Sequence, residues 1–359
     1  MAISHSERKH VLVTGATGFI ATHIIEMLVE AKYKVTATTR DASASKTGKL
    51  YADFPAYKGN VTFISVPDFT VPGAFDHAFQ GEPFDYILHT ASPIPMVSDD
   101  VVRDLIDPAI KGTTILLKAA HELGGSSLKR FVLTSSGVTV IDTFRDKGDA
   151  RAEKWTEADW SPVTVEAAVE AKHPGLAYMA SKTIGEKSAW EFMASAKPTY
   201  DLTTLLPVIV LGPNLNPVPS ADKVEQGAAT HVYAFFNGTH KTTENVEYIF
   251  YDHIDVRDVA LAHVLSMTAP AASNQRIALC STDPLTPQRV VNILNKNFPE
   301  LEDRIATGNP EDDYPVGVHP TLWNTQKAHD VFGAGWRFRN VEESVVDLTK
   351  QLLEQEKKF

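Results

Sequence analysis

A chain of 359 residues with 43% apolar and 22% charged residues has ordinary globular composition, which excludes a disordered or fibrous class. Its formal net charge of -11 opposes whole-surface attraction to nucleic acid or to an anionic membrane, so neither is expected as a partner and any anionic ligand has to be held by local groups. The single cysteine, Cys280, closes no intrachain disulfide and suits a reducing compartment.

The N-terminal residues are polar, with Glu7, Arg8 and Lys9 and no apolar stretch after them, so no secretory signal is read there. No run reaches the roughly 18 apolar residues of a membrane-spanning helix, and the expected location is cytoplasmic. His10 to Thr14 reads as the first strand, and from Phe19 the residues Ile20, Ile24, Ile25, Leu28 and Val29 recur at helical spacing until about Lys32. Val35 to Thr39 follows as a second strand. Val61 to Val66, Tyr86 to His89, Phe131 to Thr134 and Leu202 to Leu206 supply further apolar strands, each separated by enough chain for a crossover helix. Asp255 to Met267 then reads as a helix and Arg276 to Leu279 as a strand returning to the same sheet.

This alternation predicts an α/β fold, a doubly wound parallel sheet of the Rossmann type with a smaller, discontinuous C-terminal substrate domain. The division expected is 1–206 plus about 245–280 for the nucleotide-binding part, and about 207–244 plus 281–359 for the substrate part. The stretch Asp142 to Gly175, broken by Pro162 and Pro174, is long for a connection inside a compact domain, and such excursions often border an active site.

The string Val13-Thr14-Gly15-Ala16-Thr17-Gly18-Phe19-Ile20-Ala21 falls where the first strand turns into the first helix. Gly15 can take the tight turn, Gly18 lets backbone approach a pyrophosphate, and the helix start, with Thr17, Phe19 and Ile20, faces the phosphates. The second strand ends Ala37-Thr38-Thr39-Arg40. An acid there would hold a free ribose hydroxyl, whereas Arg40 suits a 2′-phosphate, so NADPH is favoured over NADH. Asp68 and Phe69 lie just past the third strand, and Thr90, Ala91 and Ser92 just past the fourth, at the carboxyl edge where such sheets bind ligands. Asp68 could accept from the adenine amine or cap the turn before Pro72.

Tyr178 and Lys182 stand four apart near the start of a helix running toward Ala196, so they share a face. With ten tyrosines such a spacing arises by chance, and what singles this one out is Thr134-Ser135-Ser136-Gly137 at the end of another strand. A carbonyl that receives hydride develops negative charge on oxygen and needs a proton, and a nearby cation lowers a tyrosine pKa toward working pH. Ser136 would hold the carbonyl oxygen, Tyr178 donate the proton, and Lys182 act as the cation and bind the nicotinamide ribose; Ser135 is the alternative to Ser136. Expected pocket residues are Pro93, Ile94, Met96, Val138, Val232, Phe235 and Phe236, a mainly apolar lining of the kind small molecules occupy. No metal is expected.

With these residues in hand the sequence resembles the extended short-chain dehydrogenase/reductases, in particular the dihydroflavonol 4-reductase-like branch that includes microbial aldehyde and methylglyoxal reductases. TGATGFIATH, the Arg40 strand end, LTSSG, YMASK, Leu206-Pro207-Val208 with Gly212-Pro213, and HIDVRDVALAH carry the resemblance in order across nearly the whole chain. It implies a Ser136-Tyr178-Lys182 triad, B-face hydride transfer from NADPH to a small carbonyl substrate, and backbone near Pro207, Val208 and Ile209 holding the carboxamide. Sugar-nucleotide epimerases of the wider family carry asparagine before a Gly-Thr pair, where this chain has Ala109-Ile110-Lys111-Gly112-Thr113. An epimerase or dehydratase would also need cations for a substrate diphosphate, for which Arg337 and Arg339 are the candidates. A noncatalytic NADPH-binding regulator is the third reading, since a fold alone establishes no function.

Overall fold

The computed structural model describes residues 8–92, 100–141, 154–217, 229–246, 248, 251–281, 283–312 and 323–358. Its first half runs β1 (His10–Thr14), α1 (Phe19–Glu30), β2 (Lys34–Thr39), α2 (Ala44–Asp53), β3 (Val61–Ser65), β4 (Tyr86–His89), α3 (Asp107–Leu123) and β5 (Arg130–Thr134). The second half continues with α4 (Val165–Ala171), α5 (Pro174–Ala196), β6 (Asp201–Pro207), β7 (Ile209–Leu211), α6 (Thr230–Tyr233), β8 (His253–Asp255) and α7 (Val256–Ser266). It ends with β9 (Gln275–Leu279), α8 (Pro287–Asn297), α9 (Gln326–Phe332) and α10 (Val341–Glu356).

Seven strands form one parallel sheet in the order β3-β2-β1-β4-β5-β6-β9. Strand β1 is buried at every position, and its alternation sends neighbouring side chains to opposite faces. Val11 and Val13 join Ile24 and Leu28 of α1 and Val259 of α7, while Leu12 joins Leu116 and Leu117 of α3. Helix α1 packs beside α7, and α3 beside α5. The order reverses between β1 and β4, which opens the crevice at the carboxyl ends where nucleotides bind in such sheets.

A smaller core gathers Leu211, Val232, Phe235 and Phe236 with Val290 and Leu294 of α8 and Val345, Leu348 and Leu352 of α10. It sits by β7 and β8, which pair in parallel as a second, two-stranded sheet. At three residues apiece these strands are too short to show an alternation, and sequence reading passes over them. Helix α9 packs on α7 and β9, and Ala328 and Trp336 belong to the larger core. This stretch of the 281–359 segment therefore packs with the large sheet rather than with the smaller core.

Within the Asp142–Gly175 excursion, residues 142–153 fall outside the described residues. From Lys154 the chain is built against the edge strand β9. The Ala278 amide donates to Glu157 Oε1 at 3.0 Å, and Trp160 lies under the Arg276 guanidinium, 3.5 Å from carbon to ring centroid. An edge covered in this way is closed to pairing with another strand. Among the described residues no helix is long and apolar enough to cross a membrane.

Candidate active site

The turn from β1 into α1 is shaped from three sides. Gly15 has a φ of +74°, and a β-carbon there would meet Ala91 backbone at 3.2 Å, so glycine is required both by conformation and by space. Its amide donates to Thr38 Oγ1 at 3.2 Å. The Thr14 hydroxyl accepts from the Thr90 and Ala91 amides, both at 3.1 Å, and lies 2.8 Å from His89 Nδ1. With both lone pairs of that hydroxyl occupied, its proton goes to Nδ1 and the imidazole carries its own proton on Nε2. Burial, reinforced by the Lys182 charge, pulls the His89 pKa down to about 3, so the ring is neutral.

Helix α1 starts at Gly18 with no side chain capping it and no acid in its first turn. Its first amides therefore present positive partial charge outward beside the exposed Thr17 and the half-buried Phe19 and Ile20. This cradle fits a pyrophosphate. Arg40 is exposed at the end of β2, within the same carboxyl edge. The Asp68 carboxylate accepts from the Thr70 amide at 2.8 Å and its hydroxyl at 2.6 Å, which is the turn-capping alternative realised, while Phe69 lines a cavity further in.

That cavity, about 30 Å³, is bounded by Phe69, Ala91, Ser92, Ala109, Lys182 and Glu186 among others, and its volume is enough for about two waters. Helix α5 builds one wall of it with Ser181, Lys182, Gly185 and Glu186. His173 caps the helix through the Leu176 amide and Pro174 opens it, as suits a first helical position. Tyr178 and Lys182 then project from one face, the ammonium 5.9 Å from the phenol ring centroid. Lys182 Nζ donates to Ser92 Oγ at 3.0 Å.

The two adjacent serines after β5 are separated by their partners. Ser135 Oγ donates to Glu186 Oε2 at 2.6 Å, whereas Ser136 Oγ accepts from the Val138 amide at 3.4 Å and stands close enough to the Tyr178 phenol to lower its affinity for its proton. The structure thus places Ser136 by Tyr178 and ties Ser135, which lines the cavity with Lys182, to Glu186. Burial raises the Tyr178 phenol above its ordinary value, with Ser136 drawing it partly back. The expected lowering by Lys182 is not among the causes: enclosure dominates and keeps the phenol protonated. Burial also pulls Lys182 down to about 8, against an opposing pull from Glu186.

The remaining expected residues divide. The Thr134 hydroxyl donates to His263 Nε2 at 2.6 Å, because Nδ1 of that ring donates to the Val259 carbonyl at 2.8 Å; burial holds His263 near 4, so it is neutral. Pro207 ends β6, the Val208 amide donates to Leu279 at 3.3 Å, and Ile209 begins β7. Val138 is buried two residues from Ser136. Val232, Phe235 and Phe236, expected at the pocket, are closed inside the smaller core at 1% exposure or less, because the α6 turn directs them toward α10 and α8. Pro93, Ile94 and Met96 lie outside the described residues. Arg337 forks onto Glu343 at 3.0 and 3.1 Å, and Arg339 pairs with the buried Asp258, so both proposed diphosphate cations are engaged by carboxylates at the join of α7 and α10.

Residues that the motifs pass over sit directly behind the site. Glu186 and Arg276 form a buried ion pair at 2.8 Å, and Trp323 Nε1 donates to Asp252 at 3.0 Å while its ring lies against Gly137. Burial lifts Asp252 to about 8. Glu186 was within reach of the helical period, one turn past Lys182. Arg276 was signalled by a charge inside an apolar strand, a residue type almost never buried unless paired.

The profile of the NAD dependent epimerase/dehydratase family matches residues 11–280. The NADPH-dependent methylglyoxal reductase GRE2 of Saccharomyces cerevisiae is 33% identical, over 96% of this chain and 98% of its own. The ketoreductase azaE of Aspergillus niger is 33% identical, over 97% and 98%. The crystal structure of yeast methylglyoxal/isovaleraldehyde reductase Gre2 complexed with NADPH superposes with a TM-score of 0.85 at 31% identity, covering 98% of this chain and 100% of the other.

Proposed function

From the premise that the chain belongs to the NAD dependent epimerase/dehydratase family and is an NADPH-dependent carbonyl reductase, we propose that it reduces small or medium neutral aldehydes, ketones and keto esters to alcohols, with Tyr178 as the proton donor. The observation that supports this assignment is that Tyr178 and Lys182 share one face of α5, with the ammonium 5.9 Å from the phenol ring, and that Ser136 stands by the phenol while Ser135 is held by Glu186. Bound NADPH supplies the hydride. The α1 start would hold its pyrophosphate, Arg40 its 2′-phosphate, and the Pro207–Ile209 backbone its carboxamide.

The protonated phenol of Tyr178 gives its proton to the carbonyl oxygen as charge develops there. The Ser136 hydroxyl holds the same oxygen by hydrogen bond and fixes the carbonyl relative to the acid. Lys182, an ammonium below about pH 8, places positive charge beside the phenolate that forms and so lowers the barrier to giving up the proton. We assign the larger core to the cofactor and the smaller core to the substrate side, and place the protein in the cytoplasm.

The test follows loss of NADPH absorbance against a panel of neutral carbonyl compounds. Tyr178→Phe should lower kcat/KM by about 100-fold or more, within the range of a lost general acid, while NADPH binding by calorimetry stays near wild type. Full activity in that variant removes Tyr178 from its role. In the wild type, reduction should fall as pH rises through about 8, because Lys182 then loses its charge.

A further inference from the structure

Glu186 takes no part in the steps above, yet its carboxylate is 1% exposed and fully engaged. It accepts from Ser135 Oγ at 2.6 Å, Thr204 Oγ1 at 2.7 Å, Arg276 Nε at 2.8 Å and Trp190 Nε1 at 3.3 Å. Arg276 is in turn fixed by the Glu157 and Asp159 carbonyls, at 2.5 and 2.8 Å, and donates to Thr139 Oγ1 at 3.0 Å. One carboxylate thus joins the end of β5, the middle of β6 and the edge strand β9 to helix α5. It also lines the cavity that Lys182 lines, one helical turn further along the same helix.

A charge buried this deeply is costly unless paired, and a larger core could be built around a neutral side chain. Its placement serves the site in two ways. It removes Ser135 from competition, so that Ser136 alone faces Tyr178. It also sets a negative charge beside a lysine that burial would otherwise neutralise, and its field raises the affinity of Lys182 for its proton.

The other groups facing Lys182 supply no comparable negative charge. Tyr178 on its own helix is protonated, His89 from β4 is neutral, and α3 contributes Pro108, Ala109, Gly112 and Thr113. Arg276 from β9 is positive and is masked by Glu186 itself. We propose that Glu186 is a positioning residue for the reduction, which selects Ser136 over Ser135 and keeps the Lys182 ammonium charged at working pH. The proposal rests on the roles assigned above to Tyr178 and Lys182.

The test is the pH profile of kcat/KM for NADPH-dependent carbonyl reduction by the full chain. Glu186→Gln keeps the shape, removes the negative charge and unmasks Arg276, so the alkaline limb should move down by about one pH unit, the low end for the loss of a neighbouring opposite charge. Glu186→Asp retains the charge further from Lys182 and should give a smaller downward move; Ser135→Ala, which removes a bond and no charge, should leave the limb in place. A merely structural carboxylate would lower activity evenly across pH in all three. If Glu186→Gln does not fold, Glu186→Asp carries the comparison, and an alkaline limb at the wild-type position in every folded Glu186 variant overturns the proposal. Activity surviving Tyr178→Phe would instead remove the site reading on which it rests, a distinct failure.

Discussion

At the scale of single residues, two neighbouring hydroxyls have different fates because of what stands behind them. Ser136→Ala should cost about 100- to 1,000-fold in kcat, the value of a hydrogen bond aimed at the developing oxyanion, with Tm little changed. Ser135→Ala should instead show in chemical denaturation, about 1–3 kcal/mol for a buried carboxylate that loses one donor. Arg40→Ala should weaken NADPH about 10- to 100-fold, as the loss of a charge-assisted contact does, and leave NADH binding nearly unmoved. The Tyr178–Lys182 spacing and the glycine turn were legible in the sequence because each follows from a local period or a local turn. The choice between Ser135 and Ser136 was not, since it depends on Glu186, 51 positions from Ser135. Nor was the upward shift of Tyr178, which comes from enclosure by several elements at once.

At the scale of elements, the strands of the large sheet were readable to within about a residue because all but the edge strand β3, exposed at Thr62 and Ser65, are largely buried on both faces and so read as short runs with few charges. The pair β7 and β8 was hidden by its brevity, and its role is to seat the start of α7. Asp255, last residue of β8, caps that helix through the Arg257 amide at 2.9 Å, pairs with the Arg257 side chain and accepts from Ser344 of α10 at 2.8 Å. Asp255→Ala should therefore cost about 3 kcal/mol, as expected when one partner of a buried pair is removed. Although burial opposes it, Arg257 and the other donors hold this carboxyl below its ordinary value. A carboxyl lowered in the folded state contributes stability above its unfolded pKa and loses it as pH falls through the folded value. The wild type should accordingly lose this contribution in acid, and the gap between wild type and Asp255→Ala in urea midpoints should narrow there.

At the scale of the whole molecule, two cores of unequal size share one chain. The larger is threaded by a seven-stranded sheet; the smaller rests on two short strands and on α6, α8 and α10. Hydrogen exchange should find α8 and α10 opening before β1, β4 and β5, since local stability follows the density of buried contacts. NADPH should widen that difference by binding the larger unit. The sequence did not point to the packing of α9 on β9 or to Trp336 joining the larger core, long-range facts that no local pattern carries.

The chain's one sulfhydryl, Cys280, follows β9 with no exposed surface, and its burial raises the thiol pKa well above the ordinary value. In the native state it is chemically silent. It becomes nucleophilic when the sheet edge parts, so a thiol-reactive dye should label each molecule once, at the rate of that opening and no faster. The protein thus carries its own stopwatch for unfolding of the cofactor-binding half, one that bound NADPH should slow and that opening of the smaller core alone should leave unread.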